Sequence, residues 1–581
     1  MSKMSDSASP FGTCRDVLLI AFAAGILFLP SLFTRELWNP DEPRYMEVGR
    51  EMVLLDDYLV PHLNGELYPD KPPMFFWLAA GLYRMGFGLN AGRMVALTAS
   101  LGTILFTYFL GRQLFSRQAG LVAALAVLTA GLFLATSKMG VIDPLLAFFT
   151  TASIYAGLRA MGNESLHFRQ WWLASYAAAG LAVLTKGPVG LAVPLLVLVG
   201  CKHTLGRKAR KGGWIHLAGS VVLLGMVGAW LVPALIRGGT AYSDNILFHQ
   251  TAGRVWKSYS HRNPFYYYFL NSAWIFLPWA LFLVPAVWSA VKAWRNSDGV
   301  SARVGLAWFG VVLVFFTLFS GKRAGYLMPI MPAFGLLMGR YFVLVNRRQH
   351  PWPRVHKILV AITLSFFAAG FLLSIPAAAM AGKISRLAYP EDAALAQEVL
   401  SVGRGVLPWT VGFAIIGAVI AAIGWHAGCR RDNPRRLFPA VFLLVALLSL
   451  FADLIVLPRI NRFKSGKTLI QAGEAYLANA DFLFLYHRDF DGVYNLYTRK
   501  VAIPVLKGIE ELGTALTAPG KVAVIARENH AYEALGTPPR QGHIAAQTRV
   551  GHRRMLLIAN WRQGDVNSSP QTLTARKRGK K

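Results

Sequence analysis

Five ionisable residues stand close together between two strongly apolar stretches of this chain. They are Asp41, Glu42 and Arg44 in LWNPDEPRYMEVGREM, and Asp70 and Lys71 in LYPDKPP. Adjacent carboxylates repel, so one keeps a raised pKa unless a cation or hydrogen bonds offset it. Arg44 follows Asp41 by three residues, one turn away if the segment is helical. These are the residue types of proton transfer and of anion stabilisation. On a solvated helix at a membrane surface the same charges would do no chemistry.

Further candidates sit at the ends of apolar runs, where an ionisable group is costly and so marks function by default. Lys138 and Asp143 flank one such junction, Lys186 ends another in LTKGPVGL, and Lys322 and Arg323 open SGKRAGYLMPIMP. Each has a plainer use. Asp143 before Pro144 is also an ordinary helix start, Lys186 can snorkel at a turn, and Lys322 and Arg323 can anchor a helix at the interface. The stretch 237–268 adds His249, Arg254, Lys257, His261 and Arg262, followed by the aromatic run FYYYF. A lone loop histidine is usually solvated, and His249 reads so; His261 is open to that reading and to a ligand or phosphate contact.

The elements that must hold these residues are membrane helices. Of 581 residues, 54% are hydrophobic and 15% charged, more apolar surface than a soluble core of this size uses. Repeated spans of about 20 apolar residues account for it. The net charge of +31 does not point to nucleic acid, because Lys and Arg cluster in short loops between apolar runs and in the tail ARKRGKK. That is the pattern of loops beside anionic lipid. Cys14, Cys201 and Cys429 are too scattered for a disulfide framework or a zinc site.

Apolar runs begin at 16–34 and end at 437–457. If 74–90 does not cross, every compact basic cluster between spans falls on the cytoplasmic side, and the count is about 13 spans. The expectation is therefore a cytoplasmic N-terminus over 1–15 and a transmembrane domain over 16–457. Within it, 36–92 forms a first outer loop with interfacial helices. One of these is PRYMEVGREMVLL, with Met46, Val48, Met52, Val53 and Leu55 against Arg44, Glu47, Arg50 and Glu51. Asp41, Glu42, Asp70, Lys71, Lys138, Asp143, Lys186, Lys322 and Arg323 then share one outer layer. Beyond 458 the texture changes. DFLFLYHRD, VYNLYT, KVAIPVL, KVAVIA and RRMLLIAN are short β-rich runs, with helical stretches at 466–478 and 528–535. They predict a small α/β domain over 458–562 outside the membrane, followed by a disordered basic tail over 563–581.

LWNPDEPRYMEVGREM, LVPHLNGELYPDKPPMFFWLAA and AGRMVALTASLGTILFTYFLGRQLF resemble the start of bacterial glycosyltransferases of the GT-C superfold. The nearest resemblance is to the aminoarabinose (4-amino-4-deoxy-L-arabinose) transferases that modify lipid A, relatives of protein O-mannosyltransferases. It continues through SKMGVIDPLLAFFTT, LTKGPVGL, SHRNPFYYYFL and SGKRAGYLMPIMPA. Asp70 departs from it, because the family usually has Glu before KPP.

The resemblance implies inverting transfer of a sugar from a polyprenyl-phosphate carrier at the periplasmic face of the inner membrane, with lipid A as acceptor. It implies catalytic roles for Asp41, Glu42 and Asp143. It implies substrate contacts for Arg44, Tyr45, Lys71, Lys186 and Arg254, and for Tyr326 along the path of the carrier lipid. A divalent ion on Asp70 and His261 fits the ligand chemistry, but two ligands are too few to define a site. A protein, another glycolipid or a surface polysaccharide is an alternative acceptor. A transporter or flippase of lipid-linked substrates is the competing class. It would show internal repeats and charges near the bilayer midplane, and neither is present in the sequence.

Overall fold

The computed structural model describes residues 10–162, 167–205, 213–246, 262–295, 300–347, 353–381, 383, 393–427, 437–537, 539–551 and 553–562. The chain divides into two compact units. One comprises Met1–Glu36 and Val48–Ile460; the other joins Leu37–Glu47 to Asn461–Lys581.

The first unit is helical. α1 runs Pro10–Thr34, α2 Asp41–Leu54, α3 Met74–Leu82, α4 Ala91–Leu114, α5 Arg117–Leu128, α6 Gly131–Ser137, α7 Asp143–Ala160 and α8 Phe168–Lys186; α2 begins in the second unit, to which its residues through Glu47 belong. Among the described residues, eight helices are long and apolar enough to cross a membrane, and two bent pairs, α5 with α6 and Tyr267–Ile275 with Ala280–Lys292, raise the figure to ten. The thirteen expected spans also include α7, α8 and Val189–Leu205, which are helices but fall below that standard. Charged ends and a high content of Ala, Gly and Thr dilute their hydropathy, and the third is short. The stretch Ala324–Asn346 is the innermost, 89% of its most apolar window being buried. Close helix approach depends on missing side chains: a Cβ on Gly120 would lie 2.5 Å from the Tyr108 carbonyl oxygen, and one on Gly339 would strike the Ala119 carbonyl.

The 74–90 run is broken, although together with α4 it reads as one long apolar stretch, Met74–Leu114. α3 gives way to a π turn over Tyr83–Phe87 and a 3₁₀ turn over Gly88–Asn90, with Gly86 at φ 92° and Gly88 at φ 55°. Before it, β1 (His62–Leu63) and β2 (Glu66–Leu67) form a hairpin. Its turn, Asn64-Gly65, has positive φ at both positions. Glu51 accepts from Asn64 N at 2.6 Å and Gly65 N at 3.0 Å. α2 itself corrects one expectation. Glu42, Glu47, Arg50 and Glu51 are buried, along with Met46, Val48 and Met52. The polar side of this helix is turned into protein rather than solvated.

The second unit carries a five-stranded sheet: β3 Phe482–Tyr486, β4 Val505–Leu506, β5 Val522–Arg527, β6 His543–Val550 and β7 Arg553–Ala559, ordered β4-β3-β5-β7-β6. β4, β3 and β5 are parallel; β7 and β6 close the sheet antiparallel. Apolar clusters cover both faces. Two runs read as strand differ. VYNLYT is a helix, because Gly492 takes a left-handed turn before it and Val493, Tyr494 and Leu496 bury together, so packing overrides β propensity. KVAIPVL yields only the two residues of β4, since Pro504 stands directly before it and cannot donate to a ladder.

Candidate functional site

In the helical unit, three distant sequence positions meet. Asp143 is the first residue of α7, but it does not cap it: the N-cap is Ile142, with no side-chain cap bond. The carboxylate is taken instead by Lys186, whose Nζ donates to Asp143 Oδ1 at 2.5 Å. Lys186 is the last residue of α8, and Gly187 at φ 74° turns the chain away directly after it. The Lys186 ammonium stands 4.4 Å from the centroid of the Tyr326 ring, a cation–π distance. Tyr326 lies in the 3₁₀ turn Ala324–Ile330. Gly325 of that turn packs on Asp143, where a Cβ would be 3.5 Å from the carboxylate. Arg323 and Lys71 lie within electrostatic reach of the same carboxylate. One cation thus pairs with the carboxylate and two more lie within electrostatic reach of it, an excess of positive charge suited to an anion.

The turn that supplies Arg323 and Tyr326 is braced from behind. Lys322 is buried and donates to Asn263 O at 3.1 Å and to Phe319 O. Asn263 Nδ2 donates to Lys322 O at 3.1 Å, and the Tyr268 hydroxyl to Arg323 O at 3.3 Å. Lys322 is therefore a structural tie, not an interfacial anchor. Lys71 donates from Nζ to the Asp70 carbonyl at 3.1 Å.

Sequence reasoning missed the partner of Lys138. Its Nζ lies 2.5 Å from Asp453 Oδ2 and 2.6 Å from Ser449 Oγ, with 9% and 1% of the Lys138 and Asp453 side chains exposed. Arg35 Nη2 donates to the Lys138 carbonyl at 2.7 Å, and Arg93 Nη1 to the Arg35 carbonyl at 2.5 Å. These bonds fix the loop that leads into Asp143. A lone Asp inside the apolar run 437–457 was the available signal.

In the second unit, Arg44 Nη2 donates to Asp41 Oδ1 at 2.5 Å, with side-chain exposures of 30% and 15%. The Arg44 guanidinium lies 5.4 Å from the centroid of the Tyr45 ring, and Tyr45 is buried. Glu42 is buried, and its Oε2 accepts from Trp38 N at 3.0 Å. Arg254, His261 and His249 lie outside the described residues. Among the described residues no group of three or more His, Cys, Asp or Glu side chains could hold a metal ion. Asp70 alone does not make such a site.

The fold recurs in known proteins. Residues 70–232 match the model of the dolichyl-phosphate-mannose-protein mannosyltransferase family. The crystal structure of ArnT from Cupriavidus metallidurans bound to undecaprenyl phosphate superposes with a TM-score of 0.75 at 23% identity, covering 95% of this chain and 99% of that one. The fold is GT-C. The resemblance carried by the DExRY, DKPP and TKGPVG motifs agrees with it. An undecaprenyl phosphate-α-4-amino-4-deoxy-L-arabinose arabinosyl transferase 2 of Proteus mirabilis is 29% identical over 345 residues, 58% of this chain and 61% of its own. A corresponding arabinosyl transferase of Pseudomonas aeruginosa is 30% identical over 336 residues, 57% of this chain and 60% of its own. The chain's matches thus span about three-fifths of the length of these curated relatives. This GT-C chain is a multi-span membrane protein.

Proposed function

We propose that the chain is an inverting glycosyltransferase that moves an aminoarabinose-type sugar from an undecaprenyl-phosphate carrier to lipid A, at the periplasmic face of the inner membrane. The observation that carries this reading is the gathering of Lys186, Arg323 and Lys71 around Asp143. In the reaction the bond between the anomeric carbon and the carrier's phosphate oxygen breaks, and its electron pair stays on the phosphate. The leaving phosphate gains a negative charge as it departs, and fixed cations at that point lower the barrier. Lys186 serves as the main cation, oriented by Asp143 and by the face of Tyr326; Lys71 and Arg323 add to the field.

The acceptor oxygen attacks from the opposite face and inverts the centre. A lipid A phosphate is already ionised at neutral pH and needs no base. Asp41 then serves by holding Arg44 rather than by taking a proton, and the short Asp41–Arg44 contact supports that role. Glu42 braces the turn ahead of them. The names of the arabinosyl transferase relatives support the carrier and the sugar.

The test is transfer by the purified protein from aminoarabinose-charged undecaprenyl phosphate to lipid A, followed by mass spectrometry of both lipids. Added aminoarabinose on lipid A and uncharged carrier are expected. Sugar recovered on protein or another glycan, with lipid A unmodified, would replace the acceptor. Charged carrier left intact with every acceptor would end the transferase reading.

A further inference from the structure

The segment Leu37–Glu47, which carries Asp41 and Arg44, forms one compact unit with Asn461–Lys581. Specific bonds join its two pieces. Trp38 Nε1 donates to Asn461 Oδ1 at 3.0 Å, between residues 423 positions apart. Asn39 N donates to the Lys464 carbonyl at 3.1 Å. The Tyr497 hydroxyl, 3.5 Å from the Leu37 carbonyl, also contacts Ser465 Oγ at 3.3 Å. Gly466 backs this seam closely, since a Cβ there would lie 3.5 Å from Asn39 Nδ2.

Trp38 is held at both ends. Its indole N–H, a donor with no acceptor capacity, goes to Asn461; its backbone N–H goes to Glu42 Oε2. Glu42 lies in the first turn of α2, next to Asp41 and two residues before Arg44. First turns leave their N–H groups without intrahelical partners and fray unless something outside the helix holds them. Here the Glu42 side chain reaches back from that turn to the Trp38 N–H, and Asn461 holds the indole end of Trp38.

We infer that the C-terminal domain is a positioning element for the Asp41–Arg44 pair, acting through Asn461, Trp38 and Glu42. The inference rests on the transferase reading above. Asn461 and Trp38 are positioning residues: they set where the ion pair stands, and a displacement of about 1 Å costs on the order of 10²-fold in rate.

The full-length protein in lipid nanodiscs tests this with Asn461→Ala, Asn461→Asp and Trp38→Phe. Asp keeps an acceptor oxygen for the indole, whereas Ala removes it; Phe keeps the ring and removes the donor. The expected result is a fall in kcat of roughly tenfold or more in Asn461→Ala and Trp38→Phe, with the acceptor KM unchanged and Asn461→Asp close to wild type. Hydrogen exchange is expected to quicken at amides 41–46 in Asn461→Ala and to stay unchanged in β5. Wild-type kcat in Asn461→Ala, or Asn461→Asp no better than Asn461→Ala, overturns the inference. If the wild-type protein transfers no sugar to any acceptor, the transferase reading has failed, and exchange decides the holding role. Faster exchange at 41–46 in Asn461→Ala then supports it, and unchanged exchange overturns it.

Discussion

Lys186 Nζ stands 2.5 Å from Asp143 Oδ1 and 4.4 Å from the centroid of the Tyr326 ring. The two contacts aim one ammonium from two sides, and they separate in mutants. Lys186→Ala removes the cation and is expected to lower kcat about 10²–10³-fold, the scale of losing one preorganised electrostatic group. Tyr326→Leu removes only the ring, and a loss within about tenfold is expected. Steady-state turnover with charged carrier measures both. Equal losses would mean that Tyr326 does more than hold the lysine.

Lys71 follows Asp70 and lies within electrostatic reach of Asp143. Lys71→Ala is expected to abolish detectable transfer while leaving membrane insertion intact, because the side chain is only partly buried. Lys71→Arg keeps the charge but not the compact point geometry of an ammonium, and partial activity is expected. Full turnover in Lys71→Ala would reduce the residue to a surface charge.

The buried pair Lys138–Asp453 makes a prediction about stability. Removing one partner leaves the other charge buried and alone, at a cost of about 3–5 kcal/mol. Asp453→Leu and Lys138→Met are each expected to lower the Tm in detergent markedly. The double variant is expected to recover much of the loss, since an apolar pair of similar volume is often neutral. A double variant less stable than either single one would mean that the pair is more than a mutual neutralisation.

The candidate site is partly legible in the amino-acid sequence, for a physical reason. Asp143, Lys186, Arg323 and Lys71 are charges at the ends of apolar runs, and the expense of such placements singles them out one at a time. Their meeting follows from topology, since all end on the same side when the basic loops share the other. Bonds between distant residues are not legible. Nothing local marks Asn461 as the partner of Trp38, and although Asp453 stands out inside an apolar run, nothing local ties it or Ser449 to Lys138, because those pairings depend on packing across hundreds of positions. The burial of Glu47, Arg50 and Glu51 is hidden likewise. An amphipathic pattern gives two faces but not what covers the polar one. In the sheet domain, local β propensity finds β3, β5 and β7 but misses β6, HIAAQTRV, whose strand form comes from pairing with β7.

Orientation in the membrane is open to direct measurement. A reporter active only outside the cytoplasm is expected to work when fused after residue 470 and to be silent when fused at 208, given the one-sided basic loops. The reverse pair of results would place Lys71, Asp143 and Lys186 on the cytoplasmic face and end the periplasmic assignment.

Asp41 decides between acceptor classes. If the acceptor is a hydroxyl, Asp41 takes its proton, and removing a general base typically costs about 10²–10⁴-fold in rate. Asp41→Asn keeps the size of the side chain, so in that case the carrier binds normally while turnover collapses. If the acceptor is an ionised phosphate, the carboxylate matters because Arg44 donates to its Oδ1 at 2.5 Å. The neutral amide no longer balances the guanidinium, Arg44 leaves its present place, and carrier binding weakens along with turnover. The second outcome is expected: KM for the carrier rises and kcat falls together in Asp41→Asn, and Arg44→Ala shows the same pattern. Titration of carrier binding to the purified variants, beside single-turnover rates, separates the cases. Normal carrier affinity in an Asp41→Asn protein that has lost turnover would make Asp41 a base and the acceptor a hydroxyl.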